Sequence, residues 1–133
     1  MNTLTPVLVV ESIEECLPFW VDRLGFEKTV EVPTDPSKDA AGQKIGFVIL
    51  VHGAVQVMLQ TRASVALDAP SLLSGPLESN AVGFFIEVDD LAPILKAVEG
   101  CEITLEERTT FYGKREIGVR APGGFNVVFA APA

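Results

Sequence analysis

Residues 7–25, VLVVESIEECLPFWVDRLG, and residues 84–100, FFIEVDDLAPILKAVEG, follow one pattern. Each begins with a β-branched or aromatic run ending in valine and an acid. A capping residue, an apolar stripe at helical spacing and a glycine stop come next. Further out, each copy closes on a two-strand signature: IGFVILVHGAVQVMLQ (45–60) after the first, REIGVRAPGGFNVVFA (115–130) after the second. A βαβββ module is therefore written twice. The expected fold class is α+β, with two βαβββ modules forming curved sheets around a cleft. The expected organisation is one domain, residues 1–133, with modules at about 1–61 and 81–133 and a connector at about 62–80.

Within the first copy the alternation predicts a strand over 3–10, with Thr3, Thr5, Val7 and Val9 on one face and Leu4, Pro6, Leu8 and Val10 on the other. Ser12 and Glu15 form a capping box. Ile13, Cys16, Leu17, Trp20, Val21 and Leu24 make the helical stripe, and Gly25 ends it. Pro18 should bend this helix, because it removes a donor and crowds the preceding turn. A strand at 26–32 leads to PTDPSKDAAGQ (33–43), which reads as an exposed, mobile loop. Strands at 44–51 and 54–61 then turn tightly at His52-Gly53. In the second copy, a strand at 81–88 precedes Asp90 as helix cap, a Leu91, Ile94, Leu95, Val98 stripe and Gly100 as stop. Strands at 101–109, 114–120 and 125–131 finish the chain, with a turn at Gly123-Gly124.

Bulk composition narrows the function classes. Of 133 residues, 48% are hydrophobic, which sets disorder aside. The net charge of −8 argues against nucleic acid, whose phosphates need a basic footprint. The apolar runs fall short of the roughly 20 residues of a membrane helix. The N-terminal segment has no basic lead, so a signal peptide is not expected and a cytoplasmic location is. Cys16 and Cys101 fit neither a disulfide framework nor a zinc spacing, and read as small buried hydrophobes.

Two concave walls, one per module, are expected to enclose a pocket. In the 54–61 strand Val55, Val57 and Leu59 belong under the helix, leaving Gln56, Met58 and Gln60 on the ligand-facing wall. The inward sets elsewhere are Gly83, Phe85 and Glu87; Lys114, Glu116 and Gly118; and Asn126 with Val128. A one-residue slip would exchange every face.

VLVVESIEECLPFWVDRLGF, FIEVDDL and YGKREIGVRAPGGFNVVF together resemble the vicinal oxygen chelate superfamily, which includes glyoxalases, extradiol dioxygenases and fosfomycin- and bleomycin-resistance proteins. The resemblance covers nearly the whole chain outside the 33–43 loop and the connector. It implies paired βαβββ units, commonly dimeric. It also implies, for the enzymes, a divalent metal held from strands one, four, five and eight. Those positions fall here at Thr5, Met58, Gly83 and Val128, none an ordinary ligand, and His52 is the single histidine. Gln56 or Gln60 supplies one donor at most. The expectation is no metal, no cofactor and no catalytic residue. The YGKRE stretch is similar to an aromatic-Gly-x-Arg-Glu segment of the bleomycin-resistance branch.

The leading reading is therefore a metal-free small-molecule-binding protein that sequesters an antibiotic or another toxic compound. Its expected ligand contacts are Gln56, Met58, Gln60, Phe85, Tyr112 and Glu116, with Arg62 a further polar candidate. The expected partners are a small-molecule ligand and a second copy in a homodimer, with neither nucleic acid nor membrane. The alternative is a diverged metal-dependent lyase or dioxygenase, using Glu87, Glu116, Gln60 and Tyr112 for acid-base chemistry. A third reading fills the cleft with Phe47, Phe85, Phe111 and Met58 and leaves only a structural role. Against function, Glu116 beside Arg115 reads as a cross-strand ion pair, and Trp20 as core.

Overall fold

A computed structural model describes residues 3–73, 82–110 and 113–133. Tyr112 and Phe111 lie outside the described residues. The chain divides into two compact units, residues 1–76 and 77–133.

The first unit runs β1 (Val7–Val10), α1 (Ile13–Leu17), a π-helical turn (Pro18–Arg23), β2 (Glu27–Pro33), β3 (Ile45–His52) and β4 (Val55–Thr61). Its sheet has the order β1-β4-β3-β2, with β1 parallel to β4 and the other pairs antiparallel. The second unit repeats the plan: β5 (Gly83–Glu87), α3 (Ala92–Ala97), β6 (Ile103–Thr109), β7 (Lys114–Arg120) and β8 (Asn126–Pro132), in the order β5-β8-β7-β6. Both βαβββ modules are present, and the α+β class holds. The first strand is shorter than expected, because residues 3–6 carry no ladder of their own.

Alternation places the core. Leu8, Val10, Val48, Leu50, Val57 and Leu59 are all buried, and α1 packs on β3 and β4 with Ile13 and Cys16. Each such side chain, taken fully out of water, contributes about 1.5–3 kcal/mol. Ser12 Oγ accepts from the Glu15 amide at 3.4 Å, which starts α1 as expected. Pro18 has no amide hydrogen to continue the ladder, and the next turn widens: Leu24 N reaches Phe19 O at 3.1 Å, five residues back. The wide turn rotates the face. Phe19 and Trp20, adjacent in sequence, are both buried, whereas Leu17, Val21 and Leu24 are only half-buried. The indole of Trp20 sits edge-on between Phe19 and Phe26, each centroid 5.3 Å away. Trp20 is core, as read from the sequence.

Three sequence expectations need correcting. The β3–β4 turn is Gly53-Ala54, one residue later than expected; Gly53 takes φ +57° and His52 pairs with Val55. The 33–43 segment is not a slack loop. Gln43 donates to Asp35 O at 3.0 Å and Asp39 O at 2.7 Å and accepts from Asp35 N at 2.8 Å, so one amide staples it. Finally, residues 62–73 are not a bare connector but a helix, α2 (Arg62–Asp68), and a 3-10 turn (Pro70–Leu73). Thr61 Oγ1 caps α2 by accepting from Ser64 N at 3.1 Å.

In the second unit the N-cap of α3 is Leu91, one residue later than the Asp90 expected, and it makes no side-chain cap bond; Asp90 Oδ1 accepts from Ala92 N at 3.0 Å from just ahead of the cap, and Gly100 at φ +80° turns the chain after the Val98 C-cap. Leu91, Val98, Ile117, Val119, Val127 and Phe129 are buried.

Candidate functional site

Each unit carries a sheet face opposite its buried set. In the first unit β4 sits between β1 and β3, with Val7, Met58 and Ile49 in one row and Val9, Gln60 and Phe47 in the next. Gln56, Met58 and Gln60 thus share one face, all half-buried, as read from the alternation. Gln56 Nε2 donates to Thr5 Oγ1 at 3.5 Å.

The helix missed in the connector gives this face a rim. Gln60 Nε2 donates to Ser64 Oγ of α2 at 3.1 Å, drawing the helix over the end of the wall. On the other side stand Thr34, Asp35 and Ser37, the part of the 33–43 segment held by Gln43. Between them lies a cavity of about 600 Å³, floored by Val32 and Phe47 and bounded by Leu67 and Asp68 of α2. That volume is of ligand size. Of the five expected contacts among the described residues, only Gln60 lines it. Thr34, Asp35, Ser37, Ser64 and Asp68 went unread, although Thr61, which caps α2, is a favoured N-cap residue type.

The second unit holds two more expected contacts. Phe85 pairs with Val128, which pairs with Gly118; Glu87 pairs with Ala130, which pairs with Glu116. Phe85 and Glu116 therefore share one face, in adjacent rows. Phe85 is 54% exposed and Glu116 only 1%. Glu116 accepts from Arg108 Nε at 3.2 Å and Nη2 at 3.0 Å. The expected Arg115 partnership is overturned: adjacent strand residues point to opposite faces, and Arg115 bonds Glu107 instead. Glu87 accepts from Lys114 Nζ at 2.8 Å. Arg62 is paired with Glu11 at 3.1 Å, away from the lining of the cavity.

Few groups here are tuned for chemistry. Burial, with Glu15 and Glu14 nearby, pushes the Cys16 thiol up to about 11, where it is no nucleophile. Ser37, through its hydroxyl and then its amide, holds the Asp35 carboxyl below its usual range, so Asp35 stays ionised at the cavity rim. His52 packs its ring 5.5 Å from that of Phe26.

The residues present do not fit a divalent metal at the positions the resemblance implies. Thr5 offers a hydroxyl already bonded to Gln56, Met58 a thioether, and Gly83 and Val128 nothing. Among the described residues no three of His, Cys, Asp and Glu gather into a possible metal site. No helix among them is long and apolar enough to cross a membrane.

Comparison with known proteins agrees on the fold. The sequence model of the Glyoxalase/Bleomycin resistance protein/Dioxygenase superfamily matches residues 3–129. No curated protein matches the chain. Among solved structures, TioX from Micromonospora sp. ML1 is similar at TM-score 0.74 and 17% identity over 100% of both chains. The bleomycin-binding protein of bleomycin-producing Streptomyces verticillus, complexed with copper(II)-bleomycin, is similar at TM-score 0.61 and 21% identity, over 100% of this chain and 98% of that one. Lactoylglutathione lyase from Agrobacterium tumefaciens is similar at TM-score 0.70 and 16% identity, over 98% and 92%. At these identities the likeness speaks for the fold alone.

Proposed function

The chain belongs to the Glyoxalase/Bleomycin resistance protein/Dioxygenase superfamily, and from that premise we propose that it is a metal-free member that binds and sequesters a small molecule. The observation that carries this reading is the pairing of a ligand-sized cavity, about 600 Å³, with a donor-poor set at Thr5, Met58, Gly83 and Val128. A cavity without a metal centre holds its ligand by shape, apolar contact and a few hydrogen bonds. Val32, Phe47 and Leu67 supply the first two, and Gln60 and the rim hydroxyls the third. Gln56 and Met58 extend the same wall; in the second unit, taken by itself, Phe85, 54% exposed, is the accessible candidate contact, and Glu116 supports that sheet through Arg108.

The reading extends to an antibiotic or other toxic compound as ligand, to a homodimer as the working form and to a cytoplasmic location. Analytical ultracentrifugation tests the dimer. A diverged lyase or dioxygenase gains nothing from the acids it would need, because Glu116 and Glu87 are each engaged by a cation.

The test is metal analysis of freshly purified protein, run with melting curves in nickel, manganese, zinc and iron. Substoichiometric metal and unchanged melting are expected. One bound metal per chain with a clear thermal shift would overturn the reading in favour of an enzyme. Bleomycin titration, followed by Trp20 fluorescence and melting temperature, separates the antibiotic version: no response removes it.

A further inference from the structure

We infer that the cavity under α2 selects a cationic amphiphile, an apolar body bearing an ammonium or guanidinium group. This deepens the function proposed above and rests on it. The cavity's interior and its rim differ in chemistry. Val32, Phe47 and Leu67 present aromatic and aliphatic surface, which holds any apolar body. Among the described residues its charged groups are all of one sign: Asp35 and Asp68 line it, and no Lys, Arg or His does.

The two acids stand differently. Asp35 is fixed by Ser37, which donates its hydroxyl at 2.6 Å and its amide at 3.1 Å. Lys38 approaches it only to 3.6 Å and is 76% exposed, so its charge is largely screened. Asp68 joins no ion pair among the described residues, and it sits at the C-terminal end of α2, which has no basic residue in its last turn. The C-terminal end of the helix dipole there adds negative potential to that of the carboxylate. Gln60 gives its amide nitrogen to Ser64 Oγ, leaving its carbonyl oxygen to accept from a ligand. An acceptor-rich rim over an apolar floor, with its nearest cation, Lys38, extended into solvent, favours a donor-bearing cation and repels a carboxylate.

Three fluorescent probes with one body test this: dansylcadaverine (ammonium tail), dansylbutylamide (neutral tail) and dansyl-6-aminohexanoate (carboxylate tail). Each is titrated into the intact protein at low and high salt. The ammonium probe should bind at least tenfold more tightly than the carboxylate probe at low salt, with the gap narrowing at high salt. Asp68→Asn should weaken the ammonium probe about fivefold and leave the neutral probe unchanged. Asp68 is exposed, so folding is not at risk, and the neutral probe reports that the cavity is intact. If all three probes bind alike, or Asp68→Asn shifts none of them, the charge selection is wrong while the binding function stands. If no probe binds, the cavity is not a small-molecule site and the function proposed above falls with it.

Discussion

Gly46→Ala tests whether the cavity wall is built as described. Gly46 is buried in β3, where the chain at Pro33-Thr34 crosses the space a side chain would take. An added Cβ would lie 2.6 Å from Thr34 Cα and 2.9 Å from both Thr34 N and Pro33 O. All three are backbone atoms, so no rotamer change relieves them. Thr34 Cα would have to retreat about 0.8 Å to reach the 3.4 Å at which contact becomes ordinary. Thr34 is held by two bonds to Lys44 O, its amide at 3.0 Å and its hydroxyl at 3.0 Å. A retreat of that size stretches both beyond useful length, at about 0.5–1.5 kcal/mol each. Overpacking strain adds about 1–3 kcal/mol. The expected loss is therefore about 2–6 kcal/mol, read from urea unfolding followed by Trp20 fluorescence. Gly42→Ala is the control: it meets nothing within 4 Å, and its φ of +77° is its main penalty, at roughly 1–2 kcal/mol. Because Thr34 and Asp35 line the cavity, Gly46→Ala should also weaken dansylcadaverine binding, and Gly42→Ala should not. A loss below about 0.5 kcal/mol for Gly46→Ala, within the usual scatter of neutral substitutions, would refute the close crossing.

Glu14 accepts the Ile45 amide at 2.8 Å, and that bond chiefly holds its carboxyl below the ordinary 4.5 against a partial burial that raises it. A depressed folded value means that the stabilisation is present above the ordinary 4.5 and is lost as pH falls below it through the lower folded value. Glu14→Gln, which keeps an acceptor, should flatten the fall in melting temperature below pH 4.5; parallel profiles for the two proteins would contradict this. Cys16, with its thiol raised to about 11, should escape iodoacetamide at pH 8 in the native protein and react in urea, as peptide mass spectrometry would show. Rapid native labelling would contradict its burial. A double-mutant cycle of Arg108→Met and Glu116→Gln should give a coupling of about 1–3 kcal/mol, since one partner is almost wholly buried. A coupling near zero would reduce the pair to a surface contact.

Much of the fold could be read in advance because it follows from local periodicity. Leu8 and Val10, Val57 and Leu59, and Val127 and Phe129 are buried on the faces that alternation assigns. Asp90 and Gly100 flank α3 within one or two residues of the caps, Leu91 and Val98, that the structure gives it. The errors came where a single event shifts a period or where a partner is remote. Pro18 turned an expected stripe by widening one turn. The helix Arg62–Asp68 was read as connector, although Thr61, a favoured N-cap residue type, stands at its start. Glu116 was matched to its neighbour in sequence when its partner, Arg108, lies across the sheet.

The sequence by itself determined the two βαβββ modules, the faces of their strands and the scarcity of metal donors, because each depends on residue type and spacing along one chain. Tertiary structure alone decided where the cavity lies. It arises from Gln60 reaching Ser64, from Gln43 stapling residues 35 and 39, and from Thr34 passing over Gly46. Those contacts join residues whose nearness no local pattern encodes. The acids at its rim, Asp35 and Asp68, are 33 positions apart in the chain and become one electrostatic feature only when loop and helix fold over the same wall.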